Sequence, residues 1–223
     1  MKVSIRPMPP ALNAHLVDRF RKVTPPTVGH ILNAGFMSPE IRPLIPSTSI
    51  VGRAITVRIS GVDTMMLHKV TEMLEPGDIV VVDMSGNRTH ACWGEMVTRA
   101  AIARKAAGAV IDGHATDIKE VTQLEFPVYA RGTSALTTKV YAIDGEINVP
   151  VNCGGVAVSP GDLIMADNNG VIAIAPRVAE EIIEAAEQLE AQEVSLRVYL
   201  AEGGSLPERS GVNRLLREKF NFS

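Results

Sequence analysis

The chain has 223 residues and a mass of 23.9 kDa, which is room for one ordinary domain or two small ones. With 22 Lys and Arg against 25 Asp and Glu, the net charge is −3 and the pI is near 6.0, so the basic footprint of a nucleic-acid binder is missing. Hydrophobic residues at 46% exclude general disorder, and aromatics at only 4% leave a core of Val, Ile, Ala and Leu that suits buried sheet under Ala-rich helices.

The pattern predicts an amphipathic helix over 11–23, ended by Thr24-Pro25-Pro26, and then a short helix capped by Thr27. The Pro-rich run from Pro39 to Pro46 reads as loop. Ile50–Ile59 alternates like a strand, and Asp63–Leu74 has a helical pattern. Glu75-Pro76-Gly77-Asp78 suits a type II turn, followed by an apolar strand Ile79–Val82 that ends at Asp83. Ala91–Ala107 reads as a helix, Ala109–Ile111 as a strand, Asp117–Leu124 as a helix and Pro127–Ala130 as a strand. Strands around 146–149, 155–158 and 171–175 complete the set. This rhythm of strand and helix implies an α/β domain with a mixed, partly parallel sheet and flanking helices.

Pro76-Gly77-Asp78-Ile79-Val80-Val81-Val82-Asp83 is echoed by Pro160-Gly161-Asp162-Leu163-Ile164-Met165-Ala166-Asp167. Each is a turn, a buried strand and an Asp at its end, a reused device and not a repeat architecture. The last long element, Ala179–Leu200, is a helix striped by Ile182, Ala186, Leu189, Leu196 and Leu200. Its stripe passes through Glu193, a carboxylate that needs a receiver. Either Arg197 pairs with it, or the helix delivers it into a site, its own or that of a neighbouring subunit.

Cys92 and Cys153 have no metal-ligand spacing and read as reduced, buried small hydrophobes. The opening residues lack the apolar run of a signal peptide, and no run approaches the ~18 apolar residues of a membrane span, so a cytoplasmic protein is expected.

Chemistry concentrates between Gly86 and Asp117. Trp93-Gly94-Glu95 lies at a helix start, where backbone N–H groups at 94–97 can receive a small carboxylate or phosphate. Asp112 and Asp117 lie at the carboxyl end of a strand, where ligands of open α/β sheets bind. Asp117 suits either a helix cap or a Mg²⁺ ligand completed by water. His114 is a turn residue or a general base. No dinucleotide, Walker, zinc or nucleophile-triad pattern occurs.

At these residues the chain resembles the 4-hydroxy-4-methyl-2-oxoglutarate aldolase / regulator of ribonuclease activity A (RraA-like) family, formerly grouped as demethylmenaquinone methyltransferase-like. The blocks that carry the likeness are Ala91-Cys92-Trp93-Gly94-Glu95, Val110-Ile111-Asp112-Gly113, Phe126 to Gly132, and Asn148 to Val171. The resemblance spans about residues 50–200. It implies a swivelling ββα-type fold, assembled as a homotrimer or hexamer with sites between subunits. No Gly/Ser linker or low-complexity tract divides the chain, so it reads as one compact domain with an N-terminal helical segment at 1–49, an α/β core carrying the site at 50–176, and a C-terminal helix and tail at 177–223 expected at a subunit interface.

The activity implied is a Mg²⁺- or Mn²⁺-dependent lyase that cleaves 4-hydroxy-4-methyl-2-oxoglutarate and related small 2-oxo acids and also decarboxylates oxaloacetate. The family signature is an acidic residue, twenty intervening residues, then Arg-Asp. Here the acid falls on Glu95, the intervening stretch on 96–115 and the metal-binding Asp on Asp117. The carboxylate cradle falls on Gly94, Glu95, Met96 and Val97, and the acid from a neighbour's C-terminal helix matches Glu193. Thr116 stands where the aldolases have Arg, and Arg131, Arg88 or His114 are candidates to replace its charge. The alternatives are a non-catalytic regulator that binds and inhibits an RNA-degrading endonuclease, or a related lyase with a sugar-derived acid as substrate.

Overall fold

The computed structural model describes residues 3–222. In chain order its elements are β1 (Val3–Ile5), α1 (Ala14–Phe20), α2 (Pro25–Gly29), β2 (Arg42–Pro43), β3 (Ile50–Ile59), α3 (Met65–Val70) and β4 (Asp78–Asp83). Next come β5 (Ala91–Trp93), α4 (Glu95–Ala103), β6 (Gly108–Ala115), α5 (Ile118–Gln123) and β7 (Val128–Thr133). The chain closes with β8 (Gly145–Ile147), β9 (Val151–Cys153), β10 (Val156–Val158), β11 (Leu163–Asp167), β12 (Gly170–Ile174), α6 (Pro176–Ala201), α7 (Leu206–Arg209) and α8 (Val212–Phe220).

β3 organises the sheet because it is long, almost wholly buried and shared by three partners. One edge pairs in parallel with β4 over 53–58. The other edge is divided: residues 50–53 pair antiparallel with β11, and 57–59 pair antiparallel with β8. From β4 the sheet continues in parallel through β6 to β7. The result is the mixed, partly parallel α/β sheet with flanking helices that the sequence implied.

The echoed segments β4 and β11 flank β3 on its two edges. Each begins with the same turn, closed by an Asp side chain that accepts a backbone N–H three residues earlier. Glu75 N donates to Asp78 Oδ2 at 2.8 Å, and Ser159 N donates to Asp162 Oδ2 at 2.8 Å. Gly77 and Gly161 take φ of +86° and +90°, which a type II turn requires and which L side chains avoid. Asp78 also receives the buried Arg53 guanidinium, at 2.8 Å from Nε. The device therefore starts two strands at one level of β3, beside Arg53, from which they run in opposite directions.

Several boundaries differ from expectation for identifiable reasons. Thr24, not Thr27, caps α2, because its side chain accepts from Thr27 N with Pro25 at the first helical position. The Pro-rich loop holds the two-residue β2, paired with β7. α1 and α3 are shorter than the periodic runs that announced them. β9 and the short helices α7 and α8 carry too few periodic residues to be read in advance.

The largest correction concerns Ala91–Ala107, which is a strand and then a helix. Ala91, Cys92 and Trp93 are buried and pair with the end of β6. β6 itself runs on to Ala115, past the expected end at Ile111, with a register shift between Ile111 and His114. Gly113 allows this passage, since a Cβ there would lie 2.1 Å from Met84 Sδ. Cys92 and Cys153 are free and buried as expected, and burial pushes the Cys92 thiol up to about 12, which leaves it protonated and unreactive. No helix among the described residues is long and apolar enough to cross a membrane.

Candidate active site

The pairing of β5 with β6 builds the site. Trp93 lies opposite Ala115, and Thr116 N donates to Trp93 O at 2.8 Å, so the two chains emerge side by side at Gly94 and at Thr116-Asp117. Trp93 is locked by stacking on Phe126, with centroids 6.0 Å apart, and by a bond from Nε1 to Thr98 Oγ1 at 2.8 Å. That bond also fixes the first turn of α4 against the strand end.

Asp117 occupies the N-cap position of α5 with φ of +54°, yet its side chain makes no cap bond to that helix. Instead Oδ2 accepts from Glu95 N at 3.0 Å, and Oδ1 receives the Thr116 hydroxyl at 3.3 Å. Of the two sequence readings, helix cap or ligand, the cap to α5 is therefore not made. The carboxylate faces the N-terminus of α4, whose dipole favours negative charge. Gly94 is needed for this approach, because a Cβ there would lie 2.5 Å from Asp117 Oδ2 and 2.9 Å from Thr116 Cγ2.

The Glu95 amide is thus already taken. Met96 and Val97 follow in the first turn, where amides have no intrahelical acceptor, and they remain for a ligand. Of the expected four-residue cradle, the structure thus commits the Glu95 amide to Asp117. Gly94, Met96, Val97, Thr116 and Asp117 all line one cleft of about 470 Å³. No group of three or more His, Cys, Asp or Glu side chains is placed to hold a metal among the described residues. An all-protein metal cage is therefore not on offer. A single carboxylate without an ion pair among the described residues, beside an open cleft, does fit hydrated Mg²⁺ or Mn²⁺, which Mg²⁺ in particular takes with waters and substrate completing its shell.

The other expected residues lie elsewhere. Glu95 projects along α4 and accepts from Arg99 Nε at 2.8 Å. Arg131 donates to Asp112 Oδ1 from Nε at 2.5 Å and also pairs with Glu40, while Arg88 reaches the same Asp112 oxygen at 3.2 Å. Neither arginine lines the cleft beside Thr116. His114 packs near Gly132, with its Nδ1 buried and unpartnered. Glu193 pairs with Arg197 at 2.6 Å, the first of its two expected fates, and does not line the cleft of its own chain.

Sequence reasoning missed the rest of the lining: Thr64 and His68 around α3, and the segment Thr137 to Val140. Lys139 is the notable member, with no ion pair among the described residues. Its segment is stitched on both sides. Thr138 N donates to Ala91 O at 2.9 Å, Lys139 N to Val62 O at 3.0 Å, and Thr64 N to Lys139 O at 2.9 Å. Asp63, fully buried, ties the same segment down by accepting from Met65 N, Tyr141 N and Ile143 N at 3.0, 3.1 and 2.6 Å. Burial pushes the Asp63 carboxyl up, but these backbone donors outweigh it and hold it below the usual carboxylate value. The local signal available was Asp63 itself, an acid with no partner inside an apolar run.

A family model described as RraA-like, Aldolase/RraA, matches residues 14–173. A protein of Halalkalibacterium halodurans named "Putative 4-hydroxy-4-methyl-2-oxoglutarate aldolase" is 36% identical over 157 residues, 70% of this chain and 74% of that one. An uncharacterized protein of Methanocaldococcus jannaschii is 37% identical over 169 residues, 74% of this chain and 80% of its own. Among solved structures, one from Streptomyces coelicolor is titled an unusual member of the RNase ES inhibitor RraA protein family. It superposes with a TM-score of 0.74 at 27% identity, covering 84% of this chain and 98% of that one.

Proposed function

The chain belongs to the RraA-like family, and on that premise we propose that it is a divalent-metal-dependent carbon–carbon lyase acting on small 2-oxo acids such as 4-hydroxy-4-methyl-2-oxoglutarate. The observation that carries the reading is the Asp117 carboxylate, without an ion pair among the described residues, held against Gly94 at the open N-terminus of α4. Asp117 would hold the Mg²⁺ or Mn²⁺, which when bound polarises the 2-oxo group as a Lewis acid. The amides of Met96 and Val97 hold the adjacent carboxylate, and the Thr116 hydroxyl supplies one neutral donor near the ketone oxygen.

Cleavage needs a base for the proton of the C4 hydroxyl. The C3–C4 bond then breaks, its electrons pass to the enolate of pyruvate, and C3 takes up a proton. We assign this proton traffic to Glu95, which would have to turn from Arg99 to reach the cleft, alone or with Glu193 of a neighbouring subunit. Homotrimeric or hexameric assembly would supply that second acid. It is favoured by the exposed Val194 and Val198 on the outer half of α6.

The test is turnover of 4-hydroxy-4-methyl-2-oxoglutarate and of oxaloacetate by purified protein with Mg²⁺. Activity above the metal-only rate that disappears in Asp117→Ala supports the reading; no excess rate, with the variant identical to wild type, overturns it. One observation favours a second reading, a regulator that binds an RNA-degrading endonuclease. Thr116 brings no charge, and Arg131 and Arg88 are both committed to Asp112. Capture of such an endonuclease by a protein devoid of lyase activity would favour that reading.

A further inference from the structure

We infer that α8 is a docking element whose partner is α6 of a second copy of this chain. Its apolar face covers the outer half of the neighbour's α6, and its cations meet acids of that helix that have no partner in their own chain. The inference uses only the C-terminal part of the molecule and stands apart from the lyase reading.

The first observation is where the charge lies. Residues 1–175 carry 16 Lys and Arg against 16 Asp and Glu, a net of zero. α6 with its cap residue Glu202 carries two against seven, and residues 203–223 carry four against two. The net charge of −3 is therefore the difference between an acidic helix at −5 and a basic tail at +2. Opposite potentials on two segments that every copy carries steer copies together and fix how they dock.

Those charges are not spent within the chain. On α6, Glu180 and Glu187 pair with Arg19, while Glu190 and Glu193 pair with Arg197. Glu181, Glu184 and Glu202 have no ion pair among the described residues, and neither have Arg214, Arg217 and Lys219 of α8. The tail and the helix are complementary but do not neutralise each other in one copy.

The apolar surfaces match in the same way. Ala186 is the last buried residue of α6, so the helix projects beyond it for fifteen residues, about 22 Å. At about 100° per residue, Glu184, Ala191, Val194, Val198 and Glu202 fall within roughly a quarter of its circumference. Val194 is 58% exposed and Val198 56%. α8 has nine residues, is about 13 Å long and buries none of them. Val212, Leu215, Leu216 and Phe220 share one of its faces, with Lys219 among them and Arg217 at the rim. A helix this short is marginal in water without a covering surface.

Within its own chain α8 packs chiefly on α7, which has no buried residue either. An anionic lipid surface would attract α8 but would leave the α6 stripe and its acids bare. A second copy covers both surfaces at once, since each copy supplies both.

Sedimentation of the full-length protein on dilution tests the charge match. Arg214→Glu with Arg217→Glu should raise the dissociation constant of the assembly by about tenfold or more, because like charges then face each other. Glu184→Lys with Glu202→Lys should do the same, and the four changes combined should restore wild-type assembly. Assembly unchanged by the α8 pair, or a loss that the α6 pair does not rescue, overturns the inference.

Placement is tested by mixing a Val198→Cys protein with a Leu216→Cys protein under mild oxidation; Cys92 and Cys153 are buried and do not compete. A covalent heterodimer is expected. A disulfide that forms only within the single chain of the double variant overturns the inference. Vesicles of phosphatidylcholine and phosphatidylglycerol test the lipid alternative. Vesicle binding that depends on Arg214 and Arg217, with no heterodimer formed, overturns the inference in favour of a membrane surface.

Discussion

Asp112 lies inside β6 and Asp117 just beyond it, yet the two carboxylates are treated differently. Asp112 is enclosed by Arg131 at 2.5 Å, Arg88 at 3.2 Å and the Gly154 amide at 2.9 Å, so both of its oxygens are engaged and its charge is neutralised. Asp117 receives one amide and one hydroxyl, both neutral, and stays exposed to the cleft. The contrast teaches that position at a strand's carboxyl end does not by itself make a ligand. What distinguishes Asp117 is unspent acceptor capacity beside a helix N-terminus, whereas Asp112 joins β6, β7 and the 38–40 and 154 segments.

Substitutions should separate the two roles. Asp117→Asn keeps an acceptor for the Glu95 amide but removes the charge. Lyase activity should fall by about 10³-fold or more, the several kcal/mol a metal's charge contributes, while thermal stability shifts by less than about 1 kcal/mol. A steady-state assay paired with denaturant unfolding checks both. A large loss of stability would place Asp117 with Asp112 and erase the contrast.

Asp112→Ala should do the opposite. It leaves Arg131, only 8% exposed, facing Glu40 without its principal partner. Removing one member of such a pair costs about 3 kcal/mol, at the low end for buried pairs because Arg88 and Asp112 are partly wet. Urea unfolding reads this directly, and the folded fraction should keep its affinity for Mg²⁺ measured by calorimetry. Gly94→Ala then sharpens the contrast, since it crowds Asp117 and its neighbour Thr116 and leaves Asp112 untouched. The added Cβ must displace the carboxylate, and a shift of about 1 Å costs up to ~10²-fold in rate. Activity close to wild type would show that Asp117 need not sit where it does.

How much of this was legible follows from which contacts are local. β3 and the paired Pro-Gly-Asp turns are local signals, and they were read correctly. Gly94, Met96, Val97, Thr116 and Asp117 were also named in advance, and the structure brings all five to one cleft. β5 was read as helix because Ala-Cys-Trp continues into an Ala-rich run with only Gly94 as punctuation. Its strand character comes from pairing with β6, which no window along the chain contains. Arg131 reads as a candidate to replace the charge missing at Thr116, because its partners Glu40 and Asp112 are remote in sequence. Lys139 sat in a polar stretch without periodicity, and only the bonds to Ala91, Val62 and Thr64 give it a place.

The smallest effect tests whether that second wall is held as firmly as the first. Asp63 is depressed below its ordinary value of 3.8 despite burial, because its charged form accepts several backbone N–H groups. A carboxyl whose folded pKa lies below its unfolded one stabilises the fold above the unfolded value, and loses that contribution as pH falls through the folded value. Asp63→Asn turns one acceptor into a donor facing the Tyr141 or Ile143 amide. Wild type should therefore exceed the variant by about 1 kcal/mol at neutral pH. The gap should hold from pH 7 down to about 5, begin to shrink near the ordinary carboxyl value of about 4, and vanish once pH falls below the lowered folded value, where the wild-type carboxyl takes up its proton. Unfolding of both proteins across that range measures it. A gap that stays constant to pH 3 would mean the Asp63 charge does no more than a neutral acceptor, and the anchoring of the Lys139 segment would then rest on its backbone bonds to Val62, Thr64 and Ala91.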